Sequence, residues 1–267
     1  MTKYPLVSVI TPSYNQAEFI EDTINSVLNQ TYKHIEYIII DGNSKDGTNE
    51  ILRKYSSRVN KILIEDDKGQ SDALKKGFSM AKGEILCWLC SDDMFYDDTI
   101  EKIVNVFVSN KKLDIVYGDT EYLYPNGQKT LKKKIRYSYP AMLYAYNFFA
   151  QPSTFFTSKI YEKSGGIDTS LHYVMDYDLF LKFGPKVKTF LIKESLSIYR
   201  LHKNSKTVSL KNKFIDEWLT VRARLLNRKL TIKDTFLSYF YTLIVVLKFL
   251  FERGELKIKY DNKKYIL

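Results

Sequence analysis

Residues 5–41 of the chain read PLVSVITPSYNQAEFIEDTINSVLNQTYKHIEYIIID and carry the clearest pattern of strand, helix and strand. This stretch opens with a β-branched run at residues 7–11, which Pro12 ends, and continues as a helix whose apolar side chains recur every three or four residues. A second apolar run covers residues 35–40 and ends at Asp41. Two continuously apolar strands joined by a helix predict parallel neighbours covered by helices on both faces.

The same alternation of strand and helix continues along the chain. Up to residue 110 it predicts a short helix through Ile51 and Leu52, a strand at 62–64, a helix at 70–81, a strand at 85–89 and a helix at about 97–110. The later elements are a strand at 115–118, a hairpin at Pro125-Asn126-Gly127, a helix at 176–183, a strand at 196–199, and a helix from Lys211 with Phe214, Trp218, Val221 and Leu225 on one face. We predict an α/β, Rossmann-like fold with a mainly parallel central sheet.

Composition narrows the class of protein. The 267 residues are 45% hydrophobic and 27% charged, which is typical of a globular chain with one large α/β domain, or a smaller domain with an appendage. The net charge of +10 permits nucleic acid, anionic lipid or phosphorylated small molecules as partners. No helix-turn-helix, zinc-finger or RNA-binding signature is visible, so we expect no nucleic acid.

The two cysteines, Cys87 and Cys90, form a CxxC spacing inside the apolar run ILCWLC. A redox pair would lie at the start of a helix, whereas this run reads as a strand, so we expect two buried free thiols. The first residues, MTKYPLVSV, lack the apolar core of a secretory signal. Both features favour the cytoplasm.

Polar residues collect where four predicted strands end. They are Thr11-Pro12-Ser13-Tyr14-Asn15, Asp41, Glu65-Asp66-Asp67 and Ser91-Asp92-Asp93. Because the carboxyl ends of parallel strands share one edge of the sheet, these residues predict a single site there.

Asp92 and Asp93 follow an apolar strand, where paired carboxylates favour a divalent hard cation such as Mg²⁺ or Mn²⁺. The alternative is a pair of solvated acids capping the next helix.

Asp41 is placed to accept a hydrogen bond from a base or ribose, or it is a turn former in DGNSKDGT. Neither GxxxxGK[ST] nor GxGxxG occurs, so a bound nucleotide would need a metal to neutralise its phosphates.

Taken together, seven segments resemble the family 2 glycosyltransferases over about residues 5–208. They are SVITPSYNQAEFIEDTINSVLNQTY, IEYIIIDGNSKDGT, KGQSDALKKGFSMAKGEI, WLCSDD, QPSTFF, GGIDTSLHYVMDYDLFLKFG and YRLHKNSKT. The resemblance implies a GT-A fold, a nucleoside-diphosphate sugar donor, Mn²⁺ or Mg²⁺ as cofactor, and inversion at the anomeric carbon.

The resemblance also implies roles for particular residues. The nucleotide and donor contacts would be Thr11, Pro12, Tyr14, Asn15, Asp41, Asp72, Ser91 and Asp92. Asp93 would be the direct metal ligand, with His202 as a further metal or diphosphate contact. Asp176 would be the catalytic base. On the residues alone, Asp176 is equally a helix cap and His202 a surface histidine; Asp178 faces elsewhere on the helix and suits a structural role.

Three positions depart from the pattern of the family. Cys90 stands where relatives often have Asp or Asn, Lys75 where they have Asn, and Met175 where an acid often precedes the base. These departures leave open a nucleotide-sugar-binding protein without transfer activity. A nucleotidyltransferase is another alternative, but it would need a glycine-rich and basic loop, and TPSYNQAEF offers none.

The C-terminal part contains TFLSYFYTLIVVLKFLF at residues 235–251. A helix of this length spans roughly 25 Å, short of the roughly 30 Å of a bilayer core. Lys233, Lys248 and Arg253 flank it, so we expect a helix lying on an anionic membrane surface. The alternatives are a helix packed on the preceding domain or on a second subunit.

These observations predict a GT-A domain at residues 1–208, with a nucleotide-binding half at 1–110 and an acceptor-side half at 111–208, followed by a helical, membrane-associating tail at 209–267. The expected function is metal-dependent, inverting transfer of a sugar, from a UDP-sugar, to an acceptor hydroxyl. The acceptor would be a lipid-linked saccharide in cell-surface polysaccharide or lipopolysaccharide synthesis. The protein would work at the inner face of the cell membrane.

Overall fold

The structure is a computed structural model that describes residues 1–203, 205 and 211–253. In this part of the chain, one mixed sheet carries the fold. Its strands are β1 (Val7–Ser13), β2 (Ile35–Asp41), β3 (Lys61–Ile64), β4 (Ile85–Trp88), β5 (Met94–Phe95), β6 (Ile115–Leu123), β7 (Lys129–Lys132), β8 (Thr154–Thr157) and β9 (Thr189–Arg200). The predicted boundary at residue 208 lies outside the described residues.

The strand order is β3-β2-β1-β4-β8-β6-β9-β5, with β7 paired to β6. The first four strands are parallel, as predicted, so their carboxyl ends share one edge. From β8 onward the sheet is mixed, because β8 runs antiparallel to both β4 and β6. The α/β fold is therefore confirmed. Its four adjacent parallel strands lie in the first half, and β6 and β9 form a further parallel pair in the second half.

Helices cover both faces of this sheet. They are α1 (Ile20–Leu28), α2 (Thr48–Lys54), α3 (Gln70–Met80), α4 (Thr99–Ser109), α5 (Tyr139–Tyr144), α6 (Ser158–Ser164), α7 (Met175–Lys182), α8 (Lys211–Leu225) and α9 (Ile232–Arg253). Alternate residues of β4 enter two separate cores, Ile85 and Cys87 on one face, Leu86 and Trp88 on the other. Burial on both faces explains why the run is continuously apolar.

β1 continues past Pro12 to Ser13, two residues beyond the predicted end. The pairing of β1 with β4 covers only residues 7–10, so Pro12 has a strand partner on the β2 side alone. Proline is tolerated where a strand has a free edge. The extension carries the following loop to the edge of the sheet.

β9 is twelve residues long, whereas the sequence predicted only residues 196–199. Its first part is half-exposed and includes the charged Lys193 and Glu194, which hide the strand from an apolar pattern. The register between β6 and β9 shifts at Gly118, where an added Cβ would lie 2.5 Å from Leu196 Cδ1. Close approach of the two strands therefore requires glycine at this point.

The C-terminal helix α9 has 22 residues, longer than predicted, and at 1.5 Å per residue it spans about 33 Å. Its mean hydropathy of 1.5 and its length match those of a membrane-crossing helix. One face nevertheless packs on the rest of the chain: Val245 is buried, and Tyr241 stacks on Tyr144 with ring centroids 5.6 Å apart. The alternative of a helix packed on the preceding domain is thus correct for this face.

α8 also departs from its predicted face. Val221 is buried and Trp218 packs against the core, as expected. Phe214, however, is 48% exposed, because it lies one turn before the part of α8 that contacts the core.

Candidate functional site

The acidic pair lies directly beyond β4. The backbone turns after Trp88, with the Asp93 N–H donating to the Cys90 carbonyl at 3.0 Å. One ligand atom from each of Cys90, Asp92 and Asp93 lies within 4.8 Å of the others. The turn therefore forms a compact group of two carboxylates and a thiol at the edge of the sheet.

The two cysteines differ from the prediction that both are buried in a strand. Cys87 is buried in β4, but Cys90 lies beyond the strand and is only half-buried. Gln70 Nε2 donates to Cys90 Sγ at 3.2 Å, and the thiol is 3.3 Å from Gln151 Oε1. The strand ends earlier than the apolar letters suggest, so Cys90 belongs to the site.

Asp93 has the surroundings of a cation ligand. Its side chain is almost fully buried, and Oδ1 accepts a hydrogen bond from the Arg200 backbone N–H at 3.0 Å. Oδ2 is buried with no hydrogen-bond partner among the described residues. Burial, and then the charge of Asp92, raise the pKa of the Asp93 carboxyl well above its usual range. A divalent cation would compensate both features, so these residues fit one.

The end of β9 brings a histidine and an arginine to the acids. His202 Nε2 lies 2.9 Å from Asp92 Oδ2, and its ring packs on Phe19 with centroids 4.6 Å apart. The Arg200 guanidinium lies over the Phe19 ring, 4.9 Å from its centroid, and donates to Asp22 Oδ2 at 2.7 Å. The structure thus joins His202 to the acidic pair, 110 residues apart in sequence.

A cavity of about 430 Å³ opens beside His202. It is lined by Asn15, Gln16, Glu18, Phe19, Lys45, Asp46 and His202. The volume is within the range of small-molecule sites, and Lys45 supplies a positive charge. The cavity lies between the loops that follow β1 and β2, next to the acidic pair.

Asp41 organises those two loops from a fully buried position. Its two carboxylate oxygens accept from the backbone N–H and the hydroxyl of Ser44, both at 2.8 Å. The Ser44 hydroxyl accepts in turn from the Asn15 N–H at 2.8 Å, and the Lys45 N–H donates to Asn15 Oδ1 at 2.9 Å. Asp41 therefore holds the wall of the cavity, and its contact with a nucleotide base stays a prediction.

The remaining predicted residues of the nucleotide pocket have varied surroundings. Thr11 is buried and its hydroxyl lies 3.1 Å from that of Tyr37, so its side chain supports the sheet. Pro12 and Ser91 are also buried, whereas Tyr14 is 60% exposed at the rim. Their donor contacts stay predictions.

Asp72 lies in the first turn of α3. It accepts from the Lys68 N–H at 3.2 Å and pairs with Lys76 at 3.4 Å. These hydrogen bonds lower the pKa of Asp72, the backbone bond from Lys68 contributing first. Its place near a donor sugar also stays a prediction.

Asp176 lies in the first turn of α7 and is half-buried. Its carboxylate accepts from backbone N–H groups of that turn and from Asn147 Nδ2 at 3.5 Å. Burial raises the pKa of Asp176, while those hydrogen bonds and the charge of Lys134 lower it. A solvent-accessible carboxylate with a raised pKa suits proton transfer.

Asp178, by contrast, is fully buried and forms ion pairs with Lys182, at 3.1 Å, and with Arg224 of α8. Both oxygens of its carboxylate are thus engaged in ion pairs. The structural role that the sequence favours for Asp178 agrees with this geometry.

A glutamate that the sequence did not single out supports the loop before α7. Glu217 of α8 accepts the backbone N–H groups of His172, Tyr173 and Val174, at 2.9, 2.8 and 3.2 Å. This contact spans more than forty positions and has no local pattern, so only the structure reveals it. The sequence likewise shows Ser44 and Lys45 only as turn residues of DGNSKDGT.

Comparison with known proteins agrees with this architecture. A family model described as glycosyl transferase family 2 matches residues 8–164. The chain is 33% identical over 212 residues to an uncharacterised glycosyltransferase of Rickettsia typhi, covering 75% of this chain and 65% of that protein. It is 45% identical over 101 residues to TuaG of Bacillus subtilis, whose name places it in teichuronic acid biosynthesis; this covers 37% of the chain and 40% of TuaG. The chain thus spans less than two thirds of these relatives.

Solved structures share the fold. S. aureus TarS in complex with UDP-GlcNAc superposes with a TM-score of 0.68 at 17% identity, covering 96% of this chain and 77% of the TarS chain. The mannosyltransferase PcManGT of Pyrobaculum calidifontis, in complex with GDP-Man and Mn²⁺, gives 0.66 at 17% identity, covering 96% and 77%. The GT-A fold is confirmed. Because the family model spans more than half of the 267 residues, the chain belongs to glycosyl transferase family 2.

Proposed function

We propose that the protein is an inverting, metal-dependent glycosyltransferase that moves a sugar from a UDP-sugar to an acceptor hydroxyl. The observation that carries the proposal is the buried, unpartnered Oδ2 of Asp93 beside Asp92 and His202. This group lies at the edge of the parallel strands, next to a cavity of about 430 Å³. The complexes of TarS with UDP-GlcNAc and of PcManGT with GDP-Man and Mn²⁺ support it by analogy.

Asp93, with Asp92 and His202, would hold Mn²⁺ or Mg²⁺. The carboxylate oxygens of Asp92 and Asp93 suit both cations. Cys90 stands within the same group of ligand atoms, where it would face the cation or the donor. When bound, the metal supplies positive charge to the departing diphosphate.

The protein's own groups perform the remaining steps. Asp41, Ser44 and Asn15 keep the cavity wall in place, and Lys45 contributes positive charge to it. Asp176 takes the proton from the acceptor hydroxyl as that oxygen attacks the anomeric carbon from the face opposite the diphosphate. A single displacement of this kind inverts the configuration.

The acceptor would be a lipid-linked saccharide of cell-surface polysaccharide or lipopolysaccharide synthesis, met at the inner face of the cell membrane. The name of TuaG supports a polysaccharide product. The outer face of α9 supports the membrane. It exposes large apolar side chains at Ile232, Phe236, Tyr239, Phe240, Leu243, Leu247, Leu250 and Phe251. Their spacing of three or four residues places them on one side of the helix, opposite the packed face.

The basic flank of this membrane face is smaller than the sequence suggested. Lys248 donates to the Arg136 carbonyl at 3.4 Å, and Arg253 pairs with the buried Asp119 at 2.6 Å. Both lie on the packed side of α9, so they are not available to lipid headgroups. Lys233 and Lys229 are exposed at the start of the helix and would meet anionic lipid.

Donor binding with and without metal tests the proposed function. We expect calorimetry to show that UDP-sugar binding requires Mn²⁺ or Mg²⁺. In Asp93→Asn, added metal should no longer increase the affinity for the UDP-sugar, because Asn keeps the shape of the side chain but not its charge. Asp97→Asn, which removes an exposed acid four residues away, is the matched control. Equal affinity of the wild type in metal and in chelator contradicts the proposal.

A nucleotide-sugar-binding protein without transfer is the second candidate. Cys90 favours it, because a thiol stands in this group of ligand atoms, at a position where the resemblance to the family implies Asp or Asn. The two candidates differ in turnover: only the transferase releases nucleoside diphosphate from the bound donor.

A further inference from the structure

The last two turns of α9 hold the backbone of a segment beside the site, Lys134 to Arg136. Arg253 Nε donates to the Lys134 carbonyl at 2.7 Å. Glu252 accepts from the Arg136 N–H at 2.9 Å, and Lys248 Nζ donates to the Arg136 carbonyl at 3.4 Å. Three side chains of one helix therefore fix the backbone of this segment, which lies between β7 and α5.

Asp119 of β6 completes the arrangement. Its Oδ1 accepts from the Lys134 backbone N–H and from the Arg253 guanidinium, both at 2.6 Å. The side chains of Arg253 and Asp119 are 7% and 2% exposed, so the pair is well shielded from water. Lys134 is thus held at both its N–H and its carbonyl by a buried ion pair.

The side chain of Lys134 extends toward α7. Its ammonium donates to the Asn147 carbonyl at 3.2 Å and lies 5.1 Å from the centroid of the Tyr146 ring. Asn147 Nδ2 donates to Asp176 at 3.5 Å. One residue, Asn147, therefore connects the ammonium to the carboxylate proposed as the base.

We propose that Lys134 is a positioning residue that keeps Asp176 ionised, and that Arg253 of α9 holds Lys134 in place. The inference rests on the proposed function in one respect: Asp176 is the base. A nearby ammonium favours the carboxylate form, and partial burial strengthens the attraction. The C-terminal helix is then a working part of the site.

The charged groups around Asp176 agree with this assignment. Burial lowers the pKa of Lys134 to about 8, so most molecules keep the ammonium at neutral pH. Asp119, the other acid acting on Lys134, is paired with Arg253, and Lys133 also acts on Asp119. Asp178 is neutralised by Lys182 and Arg224 on the other side of α7. Tyr146 is neutral, because burial raises its pKa.

The direction of the effect follows from these charges. Removal of the Lys134 charge lets Asp176 bind a proton at higher pH. The acidic limb of the pH profile of the transfer rate therefore moves to higher pH. For one lost ammonium we expect about one pH unit, a tenfold change in proton affinity. The rates of the wild type and of Lys134→Met should converge at pH values above both midpoints, where Asp176 is ionised in both proteins.

The test is a pH titration of the Asp176 carboxyl by ¹³C NMR of the full chain labelled at aspartate, with the signal assigned by its loss in Asp176→Asn. We expect the midpoint to rise by about one unit in Lys134→Met, to rise less in Arg253→Met, and to stay unchanged in Lys134→Arg. Lys132→Met, which removes an exposed lysine at the end of β7, is the matched control. In the double variant Lys134→Met with Arg253→Met, the midpoint should rise no more than in Lys134→Met alone, because Arg253 acts through Lys134.

An unmoved midpoint in folded Lys134→Met overturns the inference, whatever the activity. An equal shift in Lys132→Met also overturns it, because the effect would then be one of overall charge. If Arg253→Met unfolds, the experiment uses Arg253→Lys in its place, which keeps the positive charge but has fewer hydrogen-bond donors. Full transfer activity in Asp176→Asn overturns the proposed function instead, so the two failures are distinguishable.

Discussion

Asp176 and Asp178 show how two identical side chains on one short helix acquire different chemistry. Asp176 is half-buried and is hydrogen-bonded by an amide and by backbone N–H groups. Asp178 has no exposed surface and is held by Lys182 and Arg224. Surroundings this different suit Asp176 to the proposed proton transfer and Asp178 to a structural role. The sequence indicates that they face different ways, but the partners lie up to 46 residues away.

We expect Asp176→Asn to keep donor and metal affinity and to lose about a hundred- to ten-thousand-fold in transfer rate, since Asn cannot accept the proton. Asp178→Asn is the matched control. It should keep most of the rate per folded molecule but lower the free energy of unfolding by about 2 kcal/mol. The reason is that Lys182 and Arg224 each lose one charged partner, while Arg224 keeps its pair with Asp168. Rate and affinity are measured on the same preparations. A reversal of the two phenotypes would make Asp178 the base.

At the scale of elements, the site is built where loops from distant parts of the chain meet. The apolar runs predicted β1 to β4 and hence the edge at which Asp41 and Asp93 lie. β9 was mostly missed, because the exposed Lys193 and Glu194 interrupt its apolar pattern, and its first half is recognised only by its pairing with β6. The contact of Glu217 with the loop before α7 was also missed, since a side chain bound to distant backbone leaves no periodic pattern.

We expect Glu217→Gln to loosen the loop that carries Asp176, because one amide oxygen replaces a carboxylate that accepts three N–H groups. The loss should be about 1–2 kcal/mol, and the melting temperature should fall about 2–4 °C for each kcal/mol. Transfer should slow while donor affinity stays. Asp216→Asn, at the exposed neighbouring position, should change neither quantity. An unchanged melting temperature for Glu217→Gln contradicts this role.

At the scale of the whole molecule, α9 is apolar on two sides. Its inner side contributes Val245 and Tyr241 to the packing around α5, and its last turn clamps Lys134. Its outer side exposes a continuous apolar stripe. The sequence shows that the helix is apolar but not which residues face inward, because both sides carry similar apolar residue types. The two sides are distinguished only by the packing of one of them against α5.

We expect the protein to bind vesicles of phosphatidylglycerol and phosphatidylcholine, more weakly at high salt. Phe240→Ser with Leu243→Ser should reduce binding at least about tenfold, since each side chain gains roughly 1.5–3 kcal/mol on burial. Phe190→Ser, which removes a large exposed apolar side chain from β9, is the matched control. Co-sedimentation and light scattering are measured together. The contrary outcome is a wild type that forms a dimer and binds no vesicles, together with a double variant that is monomeric. In that case the exposed apolar side of α9 binds a second copy of the chain and not a membrane.

The proposed function requires this site to cleave a nucleotide sugar with the help of a metal. The most direct measurement incubates the wild-type protein with a panel of nucleotide sugars that includes UDP-GlcNAc and GDP-mannose, in Mn²⁺ or in chelator, and quantifies free nucleoside diphosphate. We expect a UDP-sugar to yield UDP in Mn²⁺, with the yield lost in chelator and in Asp93→Asn. Release that is equal in chelator, or donor binding without any release in the presence of acceptor lipid extracts, would contradict the claim.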